Sequence, residues 1–346
     1  MPLTKKQVEE IREYISSSKR PLFFFHDDPD GLASFLLLYK MINEGIGIPL
    51  KTSAEMGIEF AKKVHDYQPD IVFILDKPGV SQEFLDAVNQ PVIWIDHHTP
   101  VKRHKVKYYN PRVENPEEYI AASYLCYQVS QEDMWISMVG CAGDQCVPDF
   151  LDKIKEEYPD LINKDIQKPG QILFDSGFGD LAKIFSFCLK GNIGEVKKCI
   201  NIMTRIKTPY ELLKQETPQA NFIYKKYLKI DEEYQSILKD ALKHKSDDEI
   251  FFYIYKQDKM SLNQDLANEL VYRLPDKIVI IGRERSGDFK LSFRSQKYNL
   301  PKMIEDGLKG CEGYGGGHEH AAGANISSKD FDRFMEQFRA QLPKTL

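Results

Sequence analysis

The sequence predicts an α/β protein in which a mainly parallel sheet flanked by helices is followed by a helical connector and a smaller α/β unit. Three observations carry this expectation. Short apolar runs of strand length alternate with helix-period segments through the first half, a charged helix-prone stretch runs from about Thr208 to Asp248, and alternating strand signals return after it. At 346 residues the chain is too long for one ordinary core. We expect boundaries that give 1–207, 208–247 and 248–346.

The elements follow in order. The run PLFFFH, ending at His26, reads as a buried strand, and GLASFLLLYKMINEG repeats apolar residues at helical spacing up to Gly45. Two further strand-length runs, DIVFILD and PVIWIDHH, are separated by KPGVSQEFLDAVNQ, which suits a loop and a short helix. Strands that are apolar throughout, alternating with helices, argue for a parallel sheet covered on both faces. NPEEYIAASYLCYQVS and MWISMVGCAGDQ read as helices, the second leading into a polar loop. After the charged connector, EIFFYIYK, KIVIIGRE and DFKLSFRSQ are strand candidates, with helical LNQDLANELVYRL between the first two. SKDFDRFMEQFRAQL closes the chain as a helix. No period of repeat length recurs.

Composition narrows the class. Apolar content of 42% and charged content of 29% are those of a soluble globular protein, and no apolar run approaches the ~18 residues of a membrane span. The opening MPLTKKQVEE lacks the apolar core of a secretory signal. The six cysteines form no CxxC pair, which reads as reduced thiols in a cytoplasmic protein. Cys141 and Cys146 lie close together, yet no second pair or neighbouring histidine supports zinc. A net charge of −5 gives no global pull toward nucleic acid and leaves a local basic groove open.

Three apolar runs of the first half end in groups that bind metal. The first gives His26-Asp27-Asp28-Pro29-Asp30-Gly31, the second Asp76, and the third Asp96-His97-His98; a fourth acid, Asp144, follows a small-residue turn. Taken singly each has an ordinary reading: Asp, Pro and Gly favour turns and helix caps, and a histidine pair can be one core and one exposed residue. Their recurrence after successive strands changes the odds, because functional groups of an open α/β sheet gather beyond the carboxyl ends of its strands. Carboxylates mixed with imidazoles suit Mn²⁺ or Mg²⁺. Two such ions, about 3.5–4 Å apart, clamp the attacking and leaving oxygens of a phosphoryl transfer. Asp76, alone at its strand end, is the natural bridge between them.

In order and rough spacing, HDDPDGLAS, ILD, IDHH and AGD resemble motifs I to IV of the DHH phosphoesterase family. YGGGHEHAAGA, Tyr314 to Ala324, resembles the Gly-Gly-Gly-His signature of the associated C-terminal DHHA1 domain. The likeness covers nearly the whole chain. The arrangement of His26, Asp28 and Asp30 is most similar to the RecJ-like branch; the pyrophosphatase and oligoribonuclease branches place an acid where this chain has Leu32, which cannot bind metal, so their second-metal environment would need Asp28 as a substitute. The resemblance implies a DHH domain followed by a DHHA1 domain. It further implies metal ligands at His26, Asp28, Asp30, Asp76, His97 and Asp144, with Asp76 bridging two Mn²⁺ ions (Mg²⁺ being the alternative). His98 would polarise the scissile phosphate, and Asp96 would orient an imidazole.

In the C-terminal signature Gly315, Gly316 and Gly317 leave backbone amides approachable, as a turn that holds phosphate oxygens or as a tight loop. His318 follows them directly, and the resemblance makes this segment substrate-binding. Arg294, at the end of a strand, is either a bidentate phosphate holder or an ordinary surface arginine; His320 is a candidate partner of His318. The expected activity is a metal-dependent phosphodiesterase or exonuclease. It would take single-stranded DNA or RNA, or short oligonucleotides, to mononucleotides by metal-activated water. A phosphodiesterase for cyclic dinucleotides or their linear products is the enzymatic rival. The rival of another class is a catalytically silent nucleic-acid-binding subunit of a replication complex. Replication or repair proteins are candidate partners, and a membrane is not. Because the chain ends soon after the DHHA1 signature, limited processivity on long DNA is expected.

Overall fold

The structure is a computed structural model that describes residues 2–51, 55–244, 248–256 and 260–343; the last three residues of the expected connector, 245–247, lie outside the described residues. The chain divides into two compact units, 1–227 and 228–346.

The first unit begins with α1 (Lys5–Ser17), β1 (Leu22–His26), α2 (Pro29–Ile42), β2 (Ile46–Leu50) and the short β3 (Glu55–Met56). Then come α3 (Ala61–Tyr67), β4 (Val72–Leu75), β5 (Gly79–Val80), α4 (Gln82–Ala87), β6 (Val92–Ile95) and β7 (Lys107–Tyr109). Helices α5 (Ala122–Ser130), α6 (Met134–Gly143), α7 (Leu151–Glu157), α8 (Pro169–Phe174), α9 (Gly177–Cys188), α10 (Ile193–Met203) and α11 (Pro209–Leu213) follow. Helix α12 (Pro218–Ala241) runs across the division.

The main sheet is parallel throughout, in the order β2-β1-β4-β6-β7. Its strands are apolar on both faces because both are covered. Phe23, Phe25, Phe73 and Ile93 pack toward α2, α5 and α6, while Phe24, Ile74 and Trp94 pack toward α3 and α4. The chain reverses direction across the sheet between β1 and β4, the switch point at which ligands of such sheets bind. One edge departs from the sequence expectation: β2 carries no strand signal, since its residues are partly exposed and include Pro49, which an edge strand tolerates. The helix expected from Asn115 begins only at Ala122.

The second unit adds β8 (Ile250–Ile254), α13 (Asn263–Arg273), β9 (Ile278–Arg285), β10 (Asp288–Arg294), α14 (Leu300–Gly307), β11 (Gly313–His318), β12 (Ala321–Ser327) and α15 (Phe331–Arg339). Its sheet runs β11-β12-β10-β9-β8, with only the β8–β9 pair parallel. Residues of one face, among them Ile280, Leu291, Phe293, Ala322 and Ile326, form its core with Phe334 and Phe338 of α15. The glycine run forms part of a strand here rather than a turn. Among the described residues no helix is long and apolar enough to cross a membrane.

Candidate metal centre

The ends of β1, β4 and β6 bring every predicted residue of the first unit together. His26 closes β1, and its Nδ1 lies 2.6 Å from Asp28 Oδ2 and 3.6 Å from Asp76 Oδ2. Asp28 is the N-cap of α2, accepting from the Gly31 amide at 2.9 Å, with Pro29 in the first turn where its missing N–H costs nothing. Asp30, two residues further and within the first turn of α2, is fully buried. Its two oxygens accept from the amides of Ala122 at 2.7 Å and Ser123 at 3.0 Å, the unsatisfied N–H groups that open α5. That cap explains where α5 starts.

Asp76 follows β4 directly, is 1% exposed, and has φ +54°, a left-handed conformation that an aspartate tolerates better than most residues. His97 Nε2 lies 3.1 Å from both Asp76 Oδ1 and Asp144 Oδ2, the latter at the C-cap of α6. Leu32 points into the apolar core, while Asp28 stands beside His26 and Asp76.

Asp96 plays a different part. Its Oδ1 faces His98 Nδ1 at 2.7 Å, and its Oδ2 accepts from the His98 amide, the Tyr108 hydroxyl and the Asn110 amide nitrogen at 3.2, 3.0 and 3.2 Å. The imidazole that Asp96 orients is therefore that of His98. Sequence reading misses Tyr108 and Asn110, which carry no motif and reach Asp96 only through the pairing of β6 with β7. The Tyr108 ring stacks on Trp94 at 4.1 Å between centroids, and Trp94 Nε1 donates to the carbonyl of Lys77 at 3.0 Å. This brace joins the end of β6 to the residue after Asp76. In Tyr108→Phe the stack survives and two hydrogen bonds of the hydroxyl are lost, the one it donates to Asp96 and the one it accepts from Asn110 Nδ2 at 2.7 Å, the bond to the charged acceptor alone contributing about 1.5 kcal/mol or more. We expect turnover of a phosphodiester substrate to fall about tenfold with KM little changed; equal turnover would remove Tyr108 from the network.

Protonation in the cluster is uneven. Burial pushes the Asp30 carboxyl up to about 7, with the Asp76 charge adding to the rise. Burial, and then the charge on Asp30, also hold Asp144 well above the usual carboxylate range. Burial would raise Asp76 too, but hydrogen bonding and charge from His26 and His97 hold it well below. Both imidazoles are raised in turn: burial opposes this, and Asp28 and Asp76 outweigh it at His26, as Asp76 and Asp144 do at His97. Lys77 is 1% exposed, and burial lowers its ammonium despite the surrounding acids.

In the first unit three groups place their ligand atoms within 4.8 Å of one another: Asp76, Asp96 and His98, in which Asp96 already holds His98, and two donor sets that take in the six predicted ligands, His26, Asp28 and Asp76, and Asp30, Asp76, His97 and Asp144. They share Asp76. Both of its oxygens are buried and, apart from the His26 and His97 imidazoles that face them at 3.6 and 3.1 Å, meet no donor in line, which leaves lone pairs for a cation. Cysteine belongs to no such set among the described residues, and all six thiols are unpaired by disulfides.

In the second unit Arg294 closes β10 and is 8% exposed, which excludes the surface-arginine reading; its Nε donates to Asn268 Oδ1 at 2.5 Å. The register aligns Arg294 with Ala321 and Ala321 with His318, so the two predicted residues occupy one rung of the sheet. Gly315, Gly316 and Gly317 lie beside them in the edge strand β11. His320 is exposed, its carbonyl accepting from the Ser295 amide at 3.2 Å.

A parallel sheet with a carboxylate–imidazole cluster at its switch point, followed by a glycine-edged mixed sheet, defines the class: a two-domain α/β protein competent to hold divalent metal. Residues 22–157 match the DHH family N-terminal domain and residues 252–344 match the DHHA1 domain, and the chain belongs to the DHH–DHHA1 family. No curated protein sequence matches it. Its fold is similar to that of RecJ from Thermus thermophilus in complex with Mn²⁺, at 13% identity and a TM-score of 0.71 over 99% of this chain and 56% of that one. An exonuclease RecJ bound to manganese is similar at 14% identity and a TM-score of 0.65, over 99% of this chain and 97% of that one. The DHH domain of a member of a family of ribosomal proteins is similar at 15% and 0.71, over 98% and 90%. The chain thus spans little more than half of the Thermus RecJ, which has also been solved with Mg²⁺. At these identities the likeness is one of fold.

Proposed function

We propose that the protein is a divalent-metal-dependent phosphodiesterase of RecJ-like type that hydrolyses single-stranded nucleic acid or short oligonucleotides to mononucleotides. The observation that carries this reading is the pair of donor sets joined at Asp76, whose buried oxygens keep lone pairs for a cation. His26, Asp28 and Asp76 would hold one Mn²⁺ or Mg²⁺, and Asp30, Asp76, His97 and Asp144 the other. Ions bound there would acidify water and neutralise phosphoryl oxygens. The chain's own groups do the rest. Asp96 fixes the His98 tautomer through Nδ1, so Nε2 is the ring atom that meets the scissile phosphate. The amides of α5 pin Asp30 where a cation would need it. Arg294 and His318 would hold a phosphate of the substrate's end.

Incubation with Mn²⁺ and end-labelled single-stranded DNA, RNA, a dinucleotide, cyclic di-AMP and pyrophosphate tests this. Mononucleotide release from the strands, with the cyclic compound intact, supports the reading. Turnover of the cyclic compound or its linear product alone would replace it with the dinucleotide rival, and binding without any turnover would end it.

Metal binding should also depend on pH. Asp30, at about 7, must lose its proton before it can take a cation. Mn²⁺ affinity is therefore expected to fall as the pH drops through 7, by about tenfold per unit for each proton displaced, and the raised His26, His97 and Asp144 carry the dependence to higher pH. Calorimetric titration at pH 8, 7 and 6 measures this; an affinity constant across that range would contradict the assignment of Asp30 as a ligand.

A further inference from the structure

The net charge of the chain hides a local excess. Residues 190–226 hold eight lysines and arginines against three acids, although the whole chain stands at −5. They form outer helices of the first unit: α9 packs on α2 and α6, and α10 and α11 pack on α9. That puts them one layer out from the helices that carry Asp30 and Asp144.

Helix α10 buries Val196, Cys199, Ile200 and Met203, which recur at helical spacing on one side. Its opposite side shows Lys197 and Lys198, with Arg205 continuing the same face just past the helix end. Lys207 lies in the link to α11, Lys214 is the C-cap of α11, and Lys225 stands on α12. All six cations are exposed.

These cations lack acid partners. Elsewhere exposed lysines pair with carboxylates, as Lys105 does with Asp86 at 3.0 Å and Lys107 with Glu10 at 3.1 Å. Among the described residues none of the six forms such a pair within 4.0 Å. Glu211, which lies between Lys207 and Lys214 in the chain, accepts instead from the Lys207 amide at 2.9 Å and the Thr217 hydroxyl at 2.7 Å. Two of the cations are held in place without being neutralised. Lys198 Nζ lies 4.0 Å from the centroid of the Phe222 ring and Lys214 Nζ 4.5 Å from that of Tyr210, contacts that leave the charge intact. Phe222 belongs to α12 one turn before Lys225, so the first contact brings the cations of α10 and α12 to one side. Like charges gathered without counter-charges repel one another, a cost that a bound polyanion would remove.

We propose that the outer face of α10, α11 and the start of α12 is an exosite for single-stranded nucleic acid, which holds strand phosphates away from the metal centre. The choice of a strand over an acidic polypeptide rests on the phosphodiesterase reading. It is supported by the chemistry of the face: five of the six cations are lysines, compact charges that meet phosphates without reading sequence. The acidic remainder of the chain repels a strand, so this face, and not net charge, governs affinity for long strands.

Fluorescence anisotropy of the full chain in chelator, with a labelled strand of about 30 nucleotides, tests this across a salt series. Six phosphate contacts give a slope of about −4 for log affinity against log salt, at about 0.7 per contact on a single strand. Lys197→Gln/Arg205→Gln/Lys207→Gln should bring the slope to about −2 and weaken the strand about tenfold. Its thermal unfolding and its hydrolysis of a tetranucleotide in Mn²⁺ should stay as in the wild type. Lys5→Gln/Lys62→Gln/Lys63→Gln removes the same charge from elsewhere in the unit and should leave affinity and slope unchanged. Equal binding by the first triple variant and the wild type, or equal losses in both triple variants, overturns the exosite. A wild type that does not bind the strand overturns it too, and binding of poly-glutamate that the first variant loses would then assign the face to an acidic polypeptide. A strand bound through this face, with neither oligonucleotide hydrolysed in Mn²⁺, leaves the exosite standing and ends the phosphodiesterase reading.

Discussion

Asp76→Asn is expected to abolish hydrolysis while leaving the fold intact. The substitution keeps the volume of a side chain that is 1% exposed, and asparagine tolerates the φ of +54° at this position, which alanine would not. What changes is one oxygen and the negative charge. Asp76 is the member common to both donor sets, so a single change weakens both proposed cation sites. It also removes one of the anions that raise His26 and His97 against burial, which lowers both. Loss of one preorganised charge-stabilising group costs about 10²–10³ in turnover, and with two sites affected a fall of about 10³ or more is expected. Release of labelled mononucleotide in Mn²⁺ gives the rate, and Mn²⁺ titration with thermal unfolding separates a lost ligand from a lost fold. Wild-type turnover in this variant would remove Asp76 from the site.

The strand ends are legible because burial on both faces makes each parallel strand an uninterrupted apolar run, and the first polar residue after it marks the carboxyl end. LFFFH, VFIL and VIWI all end this way, which is how His26, Asp76 and Asp96–His98 can be read as neighbours from the sequence alone. Edges hide for the converse reason. In β2 the burial is partial and a proline interrupts it, so neither a run nor an alternation appears. In β11 the residues are mostly glycine and exposed, and only pairing with β12, whose alternate residues Ala322, Ala324 and Ile326 are buried, makes them a strand. The brace of Trp94, Tyr108 and Asn110 is hidden because its members meet through a parallel pairing and not through spacing along the chain.

Gly140 belongs with these hidden residues, and its replacement by alanine is expected to have the second largest effect. In an exposed helix interior, Gly→Ala stabilises by about 1 kcal/mol. In α6 the sign should reverse. A Cβ on Gly140 would stand 2.2 Å from Ser123 Oγ and 2.7 Å from Asp30 Oδ1. Asp30 has nowhere to retreat, because its oxygens are tied to the Ala122 and Ser123 amides that open α5. Ser123 Oγ is itself bonded to the Ser137 carbonyl at 3.3 Å. Overpacking of this kind costs about 1–3 kcal/mol, enough to outweigh the gain in helix propensity. A displaced Asp30 should weaken Mn²⁺ binding by about 10–100-fold, the range seen when the support of a ligand is disturbed. Adding Ser123→Gly removes the clashes with Ser123 Oγ and Cβ, at 2.2 and 2.7 Å, and leaves the one with Asp30. The double variant should therefore recover part of the lost thermal stability while Mn²⁺ affinity stays low. That split would show that Gly140 clears space for a ligand as well as for a helix contact. Gly140→Ala unfolding later than the wild type, with unchanged Mn²⁺ affinity, would show that the helix absorbs the methyl group and that Asp30 does not depend on it.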